Sequence, residues 1–251
     1  LSIKAGRVID ICVLTGKIML ENGAENYRVE DTMKRIANAC YDGAEVGNSF
    51  ATPTGIFMTI EDEGIKLQEV TKRTLNLKKV TEANQISREI VNKEISLDEA
   101  YKKLERLDTE NNLYPVWIQF TAAFIVSGAL MLLFGGVWSD FIVTAFIGGI
   151  GYLIFYYNDE LLKIKFLAEV LASMAIAAMG IFAVKYSIVS TLNIVVTGAV
   201  MPLVPGVPIA NAVRDLLAGH LISGMGRGVE AILSAASIAI GIAITYRFLL
   251  N

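Results

Sequence analysis

Charge almost disappears from this chain after Pro115, and that boundary limits what it can fold into more than any other feature. Residues 1–114 carry 16 of the 22 Lys and Arg and 19 of the 25 Asp and Glu, which leaves six of each sign for the 137 residues that follow. One water-soluble core does not divide its charge this way. Aqueous rules therefore apply to the first region and bilayer rules to the second. The bulk figures agree, since 54% hydrophobic residues and a mean hydropathy of +0.52 exceed the roughly 45–50% apolar content of ordinary globular domains.

In the second region the uncharged run Val116–Val137 is long enough to cross a hydrocarbon core of roughly 30 Å. Further apolar runs follow at 138–157, 161–184, 188–204 and 229–250, so residues 115–251 read as a bundle of about five transmembrane helices. Tyr152, Tyr156 and Tyr157 suit a membrane interface, and the Gly148-Gly149-x-Gly151 and Gly224-x-x-x-Gly228 patterns suit close helix packing. The Lys and Arg placement predicts that the N-terminal region is cytoplasmic. Lys163, Lys165, Arg214 and Arg227 then fall inside, Lys185 falls outside, and Asn251 lies on the opposite face. The lipid bilayer is thus one partner, and the localisation is a multi-pass cell-membrane protein.

Residues 1–114 read as a soluble α+β domain. Apolar spacing predicts a helix over Ile9–Leu20 stopped by Glu21-Asn22-Gly23, and a second from Glu25 to about Gly43. Between Ala44 and Leu77 the period shifts toward two, which predicts two or three antiparallel strands. Helices return over Lys78–Asn92 and Ser96–Leu107, the latter with a Ser96…Glu99 capping box. Cys12 and Cys40 sit in helical stretches and read as structural thiols. The Ile9–Leu20 run, broken by Asp10, Gly16 and Lys17, does not read as a signal peptide.

Several function classes lose their chemistry at this stage. The net charge of −3 and the lack of a basic cluster beyond Lys78-Lys79 and Lys102-Lys103 argue against nucleic acid. There is no phosphate loop, no dinucleotide fingerprint and no G-x-S-x-G elbow, and His220 is the single histidine. No enzyme, cofactor or metal centre is expected. Glu25, Arg28 and Glu30 read either as an acid–base cluster or as a solvated helix start with local ion pairs.

The stretch from Met201 to Gly219 carries the strongest local signal. Pro202, Pro205 and Pro208 lack N–H donors and restrict the residues before them, so the fourth span must break there, with Pro205-Gly206 at the break. Pro208 suits the first turn of a new short helix ended by Gly219, with Asn211, Arg214 and Asp215 on one side. An ordinary Pro-rich loop and a broken helix lining a solute cavity both fit the stretch. Polar residues in the spans favour the second: Glu169 in the third, Asn193 and Thr197 four apart in the fourth, and Glu230 at the start of the fifth.

Glu21-Asn22-Gly23-Ala24-Glu25-Asn26-Tyr27-Arg28-Val29-Glu30-Asp31-Thr32, the Thr52-Pro53-Thr54-Gly55-Ile56 segment, and Pro202–Asp215 followed by Gly219, Ser223-Gly224, Arg227 and Glu230-Ala231 together resemble the bacterial threonine/serine exporter family. The resemblance implies proton-driven secondary transport of threonine, serine or succinate-type dicarboxylates. Long members carry two membrane halves behind one soluble domain. This sequence matches the first half, which implies the larger subunit of a split exporter acting with a smaller membrane protein; a homo-oligomer completing the site is the other arrangement. The broken helix and its planar guanidinium make Asn211 and Arg214, with Asn193 and Thr197, the expected solute-binding residues. Glu169, Asp215 and Glu230 include the expected proton-coupling carboxylate. Glu25, Tyr27, Arg28 and Glu30 mark the soluble-domain motif. A membrane-tethered sensor or scaffold, with the soluble domain as its active part, remains the alternative.

Overall fold

The computed structural model describes residues 3–41, 46–60, 64–71, 74–110, 114–162, 164 and 166–250. Helix α1 (Ile3–Glu21) buries Val8, Ile11, Cys12, Ile18 and Met19 almost completely. A helix buried on several faces must be enclosed by other elements, and α1 packs against α2 (Asn26–Cys40), α3 (Leu77–Val91), α4 (Leu97–Thr109) and the sheet. The sheet is antiparallel, in the order β1 (Gly47–Thr52), β2 (Gly55–Ile60), β3 (Lys66–Glu69). Thr52 pairs with Gly55, so Pro53-Thr54 forms a two-residue hairpin loop. Ile56, Met58 and Ile60 fill the core from β2. The cap at α4 forms as expected, with Ser96 Oγ accepting from the Glu99 N–H at 3.2 Å. Cys12 is buried, Cys40 is partly buried, and both are free thiols.

Two glycines define the turns on which the candidate site is built. Gly23, at φ +94°, ends α1: its N–H donates to Leu20 O and that of Ala24 donates to Met19 O. Gly219, at φ +86°, repeats the arrangement, with its own N–H on Leu216 O and that of His220 on Asp215 O. Both are left-handed stops of the kind glycine adopts at no steric cost.

The chain divides into two compact units. One comprises 1–113 with 207–229, the other 114–206 with 230–251. The first holds α1 to α4, the sheet, nearly all of α9 (Gly206–Leu217), and the opening turns of α10 (Leu221–Leu249). The second holds α5 (Val116–Leu133), α6 (Phe141–Leu162), α7 (Leu167–Lys185), α8 (Leu192–Val200) and the rest of α10.

Four helical stretches are long and apolar enough to cross a membrane: Val116–Leu133, Trp138–Leu162, Leu167–Lys185 and Leu221–Leu249. A fifth exists if the bent pair Leu192–Leu203 and Gly206–Leu217 forms one broken span. The bounds differ from the hydropathy reading for local reasons. Gly135, at φ +88°, closes α5 early, and α6 runs past its tyrosines to Leu162. The run at 188–204 yields only nine residues of α-helix and a 3-10 turn, too short alone for the roughly 20 residues a span needs. Helix α10 begins eight residues before Val229, because its first two turns are helical but too polar to register as a span. Lys163, Lys165, Gly43 and Asn251, used in the topology and boundary expectations, lie outside the described residues.

Small residues set the packing of the second unit. A Cβ on Gly148 would lie 1.9 Å from Ser127 Oγ, one on Gly198 would lie 2.8 Å from Met131 Cα, and one on Gly241 would lie 2.5 Å from Val170 O. Helices α5 and α8, and α7 and α10, therefore approach at backbone distance, and α6 meets α5 through the small Ser127 side chain, the usual way apolar helices associate without water to drive them. Ile147, Ala172, Ile176, Val195, Val196 and Ile238 fill the centre.

Candidate functional site

In the first unit the two separated motifs meet. The turn after Gly23 leaves the carbonyls of Gly23 and Ala24 free of helix bonds, and residues from α9 and α10 take them. Asn211 Nδ2 donates to Gly23 O at 2.9 Å, and Arg227 Nη2 donates to Ala24 O at 2.8 Å. Asn26 stands at the start of α2 with its side chain fully buried. Its Nδ2 donates to Ala51 O at 2.9 Å and Ser223 Oγ at 2.8 Å, while its Oδ1 accepts from Arg227 Nη2 at 2.7 Å. The Asn26 backbone N–H donates to Asp215 Oδ1 at 3.1 Å.

Asp215 is wholly buried, and its charge is met by Arg227 Nε at 3.5 Å from Oδ2. That oxygen has no hydrogen bond, so the carboxylate is held by one N–H and one ion pair at longer range. Ser223 Oγ closes the cluster by donating to Ala51 O at 3.1 Å. The hairpin strand β1, the α1–α2 turn and the α9–α10 connection are tied together by these bonds.

A second set of charges lies beside the first. Arg214 Nη1 donates to Glu25 Oε1 at 2.7 Å, and Arg28 Nη1 lies 3.3 Å from Glu25 Oε2, so two guanidiniums share one carboxylate. The Glu25 side chain is buried, whereas that of Arg214 is 62% exposed. Glu30 Oε1 accepts from the Ala51 N–H at 2.8 Å, with His220 Nδ1 3.6 Å away. Tyr27 points outward and is exposed. The local ion pair considered for this motif forms between Glu25 and Arg28, but the two glutamates are buried and not solvated. Both glutamates turn inward, because partners from β1, α9 and the His220 turn reach them.

Burial by itself would raise the Glu25 pKa, but its own backbone N–H, the Arg214 hydrogen bond and the charges of Arg28 and Arg214 together hold it below the usual glutamate range. A depressed carboxyl pKa contributes stability that is complete above the unfolded value, about 4.3, and is lost as pH falls through the folded value. The Glu25 contribution to the thermal stability of the detergent-solubilised chain should accordingly be complete above about pH 4.3 and be lost below it. The Glu25→Gln variant should lose part of that acid sensitivity. Parallel acid profiles for parent and variant would contradict the assignment.

The other expected residues lie in the second unit. Glu169 is half-buried in the first turn of α7, not deep in a span, because α7 starts at Leu167 after the left-handed Phe166. Its Oε1 accepts from Ser234 Oγ at 3.0 Å. Glu230 is half-buried on α10, and Asn193 and Thr197 line the exposed side of α8. Pro202 lies in the 3-10 turn Met201–Leu203, Val204 is extended before Pro205, and Gly206 opens α9 with Pro208 in its first turn. The backbone thus breaks where the prolines demand it.

Sequence reasoning left Asn26, Ser223 and Arg227 off the site, although the quoted motifs contain all three. It also passed over Asp140, which is buried and accepts from Ser190 N–H at 2.9 Å and Ser139 Oγ at 3.0 Å.

Residues 10–249 match the ThrE family, described as "Putative threonine/serine exporter". Among curated proteins, the chain is 26% identical to the "Probable succinate transporter subunit YjjP" of Escherichia coli K12, covering 94% of this chain and 92% of that one. It is 21% identical to the "Probable threonine/serine exporter" of Mycobacterium tuberculosis over 98% of this chain, but spans only 47% of that protein's length. It is also 25% identical to the "Pheromone-regulated membrane protein 10" of Pichia sorbitophila over 90% of this chain, and spans 23% of that protein. No solved structure matches it. With nearly its whole length matched and four or five apolar spans, the chain is a multi-pass membrane protein of the ThrE threonine/serine exporter family, a family of transporters and not of enzymes.

Proposed function

We propose that this chain is the larger component of a proton-gradient-driven exporter of small carboxylate-bearing solutes, threonine and serine or succinate-type dicarboxylates. It acts with a smaller membrane protein. The likeness at nearly full length to a protein named as a transporter subunit supports the two-component reading. In this reading residues 1–114 form a cytoplasmic domain, residues 115–251 form the transmembrane domain, and the C-terminus faces the other side.

One observation carries the solute class: Arg214, on the helix that follows the proline break, already holds a carboxylate, that of Glu25. A planar guanidinium pairs with a carboxylate through two parallel N–H donors, and amino acids and dicarboxylates both present one. Glu25 occupies the place a solute carboxylate would take. Because the Arg214 side chain is largely exposed, an arriving solute can compete for it. Displacing Glu25 frees the α1–α2 turn from Arg214, which gives the solute a way to alter the protein as it binds. Asn211, on the same helix as Arg214, adds a solute contact in this scheme, and Asn193 and Thr197 on α8 are the further solute-binding residues.

Proteoliposomes containing the chain and its smaller partner should move serine, threonine or succinate when a pH gradient is imposed, and vesicles with either component alone should not. Arg214→Lys should raise the half-saturating solute concentration about tenfold, since an ammonium cannot make the paired contact. Single cysteines replacing Lys102 and Asn251 should label from opposite faces of the membrane. If no solute moves while both proteins insert and associate, the sensor or scaffold reading takes its place.

A further inference from the structure

A cavity of about 430 Å³ lies between α2 and α3, and nothing in the transport scheme uses it. Arg28, Arg35 and Arg88 line it, together with Asp31, Asn84 and Ser87. Asp31 neutralises one of the three cations through Arg35 Nε at 2.8 Å. Arg88 is exposed and makes no ion pair among the described residues. Arg28 is shared with Glu25 at 3.3 Å and keeps about half of its side chain exposed. Asn84 also lines the space, and its Oδ1 accepts from Thr32 Oγ1 at 3.4 Å.

The volume falls within the roughly 300–1,000 Å³ of small-molecule pockets. None of the residues lining it is aromatic. Its chemistry is an excess of guanidinium over carboxylate, with amide and hydroxyl groups between. We propose that this cavity binds a small free polyanion bearing two or more carboxylate or phosphate groups. Arg35 and Arg88 supply charge-assisted hydrogen bonds, and Arg28 turns from Glu25 to join them. Because Glu25 is also the partner of Arg214, occupancy of the cavity is linked through Arg28 to the residue proposed to meet the solute.

The test is isothermal titration of the full chain in detergent with citrate and, separately, pyrophosphate, with glucose as an uncharged control. Saturable binding of either anion, weakened by added NaCl, is the expected result. Binding of citrate alone assigns carboxylate recognition, and binding of pyrophosphate alone assigns phosphate. Arg88→Gln should weaken the interaction about tenfold without changing the melting temperature, since the side chain is exposed. Arg35→Gln should weaken it further by leaving Asp31 unpaired in the cavity. Absence of binding by both anions, or an affinity unchanged in Arg88→Gln, overturns the proposal. Transport is not measured, so that failure would leave the exporter reading untouched.

Discussion

Arg227→Ala should destabilise the first unit by about 3–5 kcal/mol, the cost of removing one partner from a buried ion pair. The side chain of Arg227 is 11% exposed and that of Asp215 is 0% exposed, so the carboxylate left behind has no water to replace the guanidinium. Two further acceptors, Ala24 O and Asn26 Oδ1, lose their Nη2 donor in the same substitution. Arg214→Ala makes the internal control. Its partner Glu25 keeps Arg28, and the Arg214 side chain is mostly in solvent, so the stability change should be about 1 kcal/mol or less. Thermal unfolding of the detergent-solubilised variants would measure the difference. Hydrogen exchange would locate it, with faster exchange expected in 23–30 and 211–228 for Arg227→Ala alone. Equal and small effects from both substitutions would show that the buried network does not hold these segments together.

Much of this architecture was legible because it rests on local chemistry. The charge boundary, the helix stops at Gly23 and Gly219, the Ser96 cap and the proline break each depend on a few adjacent residues, and sequence reports such features directly. What sequence could not report is which polar groups pair across nearly two hundred residues. Asn26 is an unremarkable amide in its own helix. It becomes central only because Ala51, Ser223, Arg227 and Asp215 arrive from three other segments.

Glu25 was ambiguous for the same reason. Beside Arg28 it reads as a surface pair, and burial against Arg214 is a tertiary fact. The hydropathy reading placed Glu169 well within a span, whereas the helix begins only two residues before it. Apolarity counts side chains and is blind to a left-handed residue such as Phe166 that resets where a helix starts.

The relocation of Glu169 sharpens the test of proton coupling. A carboxylate in the first turn of a helix benefits from the unpaired N–H groups there, so its charge costs less than at mid-span. It still lies half-buried against Ser234, on a helix apolar enough to cross the membrane. Gln at this position keeps the acceptor oxygen that Ser234 donates to and nearly the same shape, but cannot exchange a proton. Glu169→Gln is therefore expected to insert and assemble like the parent, to retain solute exchange across vesicles without a gradient, and to lose export driven by a pH gradient. Ser234→Ala removes the hydrogen bond but leaves the carboxyl group, and should retain gradient-driven export at a reduced rate. Asp215→Asn and Glu230→Gln complete the series, because they are the other expected coupling carboxylates, on α9 and α10 respectively. Should all three carboxylate variants export with the parent's dependence on the pH gradient, none of them carries the coupled proton. Their role would then be to anchor helices through polar contacts such as the one between Glu169 and Ser234.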